Sequence, residues 1–66
     1  MTTVYIATYH PKDTLWPAIY VTDNKTQYQV REYSANGIYI VRAMFPKAHN
    51  TIARELAFSM AEHLCK

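Results

Sequence analysis

The chain has 66 residues, half of them apolar or aromatic, a net charge of +2 and a single cysteine, Cys65. That length fits one domain over residues 1–66 and not two. The composition excludes a disordered tail, and one cysteine excludes an intrachain disulfide. A domain of this size buries only about 60% of its unfolded surface, so close packing or a partner subunit has to supply its stability.

Thr2 to Tyr9 alternates Val4 and Ile6 against Tyr5, Ala7 and Tyr9, the period of a half-buried strand. His10-Pro11-Lys12-Asp13 breaks it, because proline restricts itself and the residue before it. A second strand is expected over 15–21; Pro17 places it at an edge or delays its start until after the proline. Thr22-Asp23-Asn24-Lys25 reads as a turn, and 26–33 as a third strand. Asn36-Gly37 predicts a tight type I′ hairpin into a fourth strand over 38–44, with Phe45-Pro46 ending the sheet.

The remainder is helical in pattern, near 50–64. Asn50 is the expected N-cap, and Ile52, Leu56, Met60 and Leu64 recur every four residues, with Ala53 and Ala57 widening the stripe. Arg54, Glu55, Ser59 and Glu62 face away. Short connections favour neighbouring antiparallel strands. The expected fold is therefore α+β: a two-layer domain with an antiparallel four-stranded β-meander followed by one C-terminal helix. Its expected core is Val4, Ile6, Ile19, Val30, Ile40, Ile52, Leu56, Met60 and Leu64.

No catalytic, cofactor or metal site is expected. His10, His49, His63 and Cys65 lack zinc-ligand spacing, and Ser34 and Ser59 have no nucleophile motif around them. The only glycine, Gly37, is committed to the hairpin, which rules out glycine-rich phosphate loops. A chain this short also struggles to enclose the roughly 300 Å³ that a small-molecule site needs. The N-terminal residues lack the pattern of a signal peptide, and no run approaches the ~20 apolar residues of a membrane span. With a lone cysteine, a cytoplasmic location is expected.

Tyrosine is the one constellation with functional content. Strand parity puts Val4, Ile6, Ile19, Val21, Tyr28 and Val30 toward the helix. The opposite face collects Tyr5, Tyr9, Tyr20, Tyr33 and Tyr39 with Gln27, Gln29 and Arg31. Tyrosine offers a rigid surface with a polar tip, as macromolecular interfaces do; it is also a good strand former that pairs across solvated sheets. Phe58, on the polar side of the helix, marks a subunit contact or packs on a loop such as that of Trp16.

The order of sheet then helix, with Trp16 early and the closing segment Thr51-Ile52-Ala53-Arg54-Glu55-Leu56-Ala57, resembles the AP2-type domain and the arm-binding domain of phage integrases. The resemblance implies a sheet that reads the major groove of DNA. This chain departs from it by an extra initial strand and by lacking dense Arg and Lys on the sheet; Arg31 alone falls clearly on the candidate face. In size and form the chain also resembles small accessory proteins of phages and mobile elements.

Low net charge and scattered basic residues favour a protein partner, bound through the Tyr-rich face by a non-catalytic module. DNA or RNA binding is the alternative, with the rings stacking bases and Arg31, Lys25 and Arg42 on phosphates. A structural role in an assembly is a third reading. A homodimer is also expected from the small size and open sheet edges.

Overall fold

A computed structural model describes residues 3–49 and 52–65. Its four strands are β1 (Val4–Tyr9), β2 (Ala18–Asp23), β3 (Gln27–Tyr33) and β4 (Tyr39–Pro46), and its helix is α1 (Ala53–Leu64). The strands form one antiparallel sheet in chain order, and α1 covers one face of it. The four-stranded meander with a C-terminal helix is thus the α+β fold that the hydrophobic periods predict. The proposed N-cap Asn50 lies outside the described residues.

Two bulges decide which side chains share a face. On β1, Tyr5 pairs with Thr22 and Ala7 with Val21, so Ile6 is an extra residue and the alternation reverses after it. Tyr9 consequently sits opposite Ile19 and packs on the helix side, a correction to its expected place on the open face. On β4, Val30 pairs with Ala43 and Arg31 with Val41, leaving Arg42 as the extra residue. The strand also continues past the expected stop: Phe45 pairs with Tyr28 and packs on the core, and Pro46 is tolerated because β4 is an edge strand.

The turns follow local side-chain chemistry. Asn24 Oδ1 accepts hydrogen bonds from the backbone N–H of Thr26 (3.1 Å) and Gln27 (2.9 Å), fixing the β2–β3 turn. At the β3–β4 hairpin only Gly37 has positive φ (+87°), and its N–H donates to the Ser34 carbonyl at 3.0 Å. The connection is therefore a three-residue loop closed by a left-handed glycine, not the type I′ turn expected of Asn36-Gly37. Pro17 precedes β2 rather than interrupting it, so β2 takes an interior place.

The core is centred differently from expectation. Ile19 and Val30 are buried as expected, together with Val21, while the helix contributes Ala53, Ala57 and Ala61. Bulky residues of the sheet fill the interface, and alanines let the helix backbone approach them closely. Phe58, Met60 and Leu64 pack beside the alanine row, and so does Ile6 from β1. Leu56 is half-buried, whereas Val4 (51%), Ile40 (59%) and Ile52 (48%) stay exposed. A helix of 12 residues is about 18 Å long and leaves the corners of the sheet uncovered. No described helix is long and apolar enough to cross a membrane.

Candidate functional site

Alternation along β2 and β3 sends Tyr20, Thr22, Gln29, Arg31 and Tyr33 to the face away from α1, and Tyr5 and Tyr39 join them from the edge strands. The rings touch in sequence. Tyr5 meets Tyr20 edge-on (centroids 5.4 Å apart), Tyr20 meets Tyr33 edge-on (4.9 Å), and Tyr33 stacks on Tyr39 (4.8 Å). Such pairs contribute roughly 0.5–1.5 kcal/mol each beyond area burial.

Arg31 stands at the centre of this cluster and is only 9% exposed. Its Nε donates to Gln29 Oε1 at 2.9 Å, and its Nη1 donates to the hydroxyls of Tyr5 (3.2 Å) and Tyr33 (3.1 Å). The guanidinium lies 4.5 Å from the centroid of Tyr39, a cation–π contact. Burial works against the charged form. The hydrogen bond to Tyr33 and the charge interactions with Tyr33, Tyr39 and Tyr5 outweigh it and hold the pKa above its ordinary value.

The remaining candidates divide. Gln27 keeps its open-face place, with Nε2 3.6 Å from Met44 Sδ. Phe58 does not project from the polar side of α1. It packs against the core beside Ala57 and Ala61, with the Arg54 guanidinium 4.7 Å from its ring centre. Tyr9, on the helix side, has its phenol pKa raised by burial and then by the charges of Glu62 and Cys65. Val41 and Met44 join the open face, 38% and 57% exposed. Sequence parity missed Met44 because the bulge at Arg42 shifts it; an arginine interrupting an apolar edge strand is the one signal of that bulge.

Comparison of the chain with protein-family models, with curated proteins and with solved structures finds no match.

Elsewhere the chemistry is sparse. Among the described residues no three His, Cys, Asp or Glu side chains are grouped to hold a metal. Burial pushes the Cys65 thiol up, away from the reactive thiolate. On the helix side, a groove of about 400 Å³ runs between Trp16, Pro17 and Leu64, with Lys12 and the Glu32–Arg42 ion pair at its walls. Concavity of this size was not expected of so short a chain. It arises because the Pro11–Pro17 connection passes beside the last turn of α1.

Proposed function

We propose that the chain is a non-catalytic binding module that engages a protein partner through the open face of its sheet. The arginine-centred tyrosine cage carries this reading. Tyr and Arg supply much of the binding energy at protein interfaces, and rings already locked against one another lose little freedom on binding. Exposed Tyr5, Tyr39, Val41 and Met44 surround the cage with apolar contact area. A nucleic acid would stack on the same rings, but phosphate binding calls for several cations. Arg42 pairs with Glu32 instead, and Lys25 sits in the β2–β3 connection, which leaves the face one cation.

Affinity capture from source lysate, with and without nuclease, tests the reading by comparing wild type with Tyr20→Ala/Tyr39→Ala. The expected result is a nuclease-resistant partner that the variant loses. Recovery abolished by nuclease would transfer the reading to nucleic acid. Recovery unchanged by the variant would remove the open face.

The free edge of β4 supports a second contact, with another copy of the chain. Ile38 and Ile40 are 65% and 59% exposed along this edge, and Arg42, the charge on the strand, is already neutralised by Glu32. An apolar edge without net charge is suited to antiparallel self-pairing about a two-fold axis. Light scattering should give twice the 7.7 kDa chain mass, and Ile40→Lys, which leaves the open face intact, should restore the monomer. A monomer in wild type at high micromolar concentration would remove this contact.

A further inference from the structure

We infer that the open face is a receptor for a carboxylate side chain of the partner, received at Arg31. This rests on the reading of that face as a protein-binding surface and specifies the chemistry it recognises.

Charge balance is the first ground. Asp23 and Lys47, and Glu32 and Arg42, form two ion pairs on the helix side of the sheet. Arg31 is the one formal charge among the described residues of the open face, and no carboxylate accompanies it. A guanidinium taken largely out of water costs several kcal/mol unless a counter-charge is present. Amide and phenol oxygens hold the guanidinium in its charged form but bring no negative charge, so the positive charge on this face stays unneutralised.

Donor geometry is the second. Among the described residues the intramolecular bonds use Nε and Nη1 and leave Nη2, with two N–H groups, without a hydrogen-bond partner. Among the described residues Thr22 Oγ1 is the fully buried side-chain polar atom without a partner, and Nη2 is not a second one. Gln29 holds the guanidinium at Nε and the two phenols hold it at Nη1, with the centre of the Tyr39 ring 4.5 Å from its carbon. The hydroxyls of Tyr20 and Tyr39 make no hydrogen bond among the described residues, so further donors stand on the same face.

The surroundings select the ligand class. One cation matches the single charge of Glu or Asp, whereas a phosphate run needs several cations. Val41 and Met44 flank the cage and suit the apolar neighbours of an acidic residue within a protein segment. The basic net charge of +2 favours an acidic partner as well.

The test is an NMR titration of the isotope-labelled full chain with a blocked peptide of alternating leucine and glutamate, and with its glutamine counterpart. The glutamate peptide should shift the Arg31 Nε–H signal and the amides of Tyr20, Arg31 and Tyr39, and bind about tenfold more tightly than the glutamine peptide, as a charge-assisted bond implies. Arg31→Gln should abolish the difference. Should that variant unfold, the peptide pair on wild type still decides. Equal shifts from both peptides would overturn the carboxylate site while leaving open-face capture of the partner intact. Shifts that map to Lys12 or Lys25 instead would overturn it too. A short thymidine oligonucleotide that binds the face more tightly than the glutamate peptide would overturn both this site and the protein-binding reading.

Discussion

The hydroxyls of Tyr5 and Tyr33 lie 2.6 Å apart although their strands are not neighbours; the bond spans β2. Both oxygens also accept from Arg31 Nη1, so three residues of β1 and β3 close a ring above the intervening strand. Tyrosines that merely paired across adjacent strands would form no such ring. The closure ties β1 to β3 across the open face.

Removing either hydroxyl should therefore be felt at the other. Tyr5→Phe and Tyr33→Phe are each expected to destabilise by about 1 kcal/mol, a modest value because water reaches Tyr5. Urea unfolding of the single and double variants should give a coupling of at least roughly 0.5 kcal/mol. Strict additivity would mean that the ring contributes nothing as a unit.

Beneath the cage, Thr22 is fully buried and its Oγ1 has no hydrogen-bond partner among the described residues. Thr22→Val keeps the shape and the β-branching while deleting the unsatisfied hydroxyl. The variant should be more stable than wild type by about 1 kcal/mol, read as a rise in the urea midpoint at unchanged slope. A loss of stability would mean that the hydroxyl is bonded, for instance to a trapped water.

The elements were legible in the sequence because each is written in a local period: alternation in Gln27–Tyr33, helical spacing from Ala53 to Leu64, punctuation at Pro11 and Gly37. Most of the candidate face was legible too, since Tyr20, Gln29, Arg31 and Tyr33 follow uninterrupted parity. What failed depends on single-residue insertions and on volume. Nothing in Val4-Tyr5-Ile6-Ala7 announces that Ile6 will bulge, and that one residue moved Tyr9 to the other face. The helix stripe was misjudged by size: Ile52 and Leu56 look like core on the helix alone, but the sheet already supplies the bulk. Strand parity places Arg31 on the open face but carries no information about the tyrosine rings that bury it there.

Alkaline pH should weaken the fold through its phenols. The Tyr5 pKa is raised above the ordinary 10.0 chiefly by its bond with Tyr33 and then by burial, with Arg31 opposing; that of Tyr9 is raised by burial first. A raised folded-state value means that the unfolded chain releases these protons first as pH rises. The stabilisation is complete below pH 10 and is lost as pH climbs above it through the folded-state values. Urea midpoints should be flat from neutral pH to about pH 9 and fall beyond pH 10. Tyr9→Phe should reduce the fall; an unchanged profile in that variant would mean that the Tyr9 phenol is not among the groups that cause it.

The packing of α1 makes the sharpest stability prediction, because it reverses the ranking that side-chain size suggests. Ala57 is 0% exposed, and buried Ile19, Val21 and Val30 belong to the same cluster. Ala57→Leu inserts three carbons where helix and sheet already touch. The helix must lift or its neighbours must leave their rotamers, at a cost of about 1–3 kcal/mol or more. Ile40→Ala deletes three carbons from a large apolar side chain, yet that residue is 59% exposed and leaves little cavity behind. In the monomer, at protein concentrations below any self-pairing of the β4 edge, its cost should stay below about 1 kcal/mol. Thermal or urea unfolding of the two variants side by side is decisive. If Ile40→Ala proved the more damaging, the helix would have to be seated on the end of the sheet that carries Ile40, with the alanine row no longer at the centre of the core.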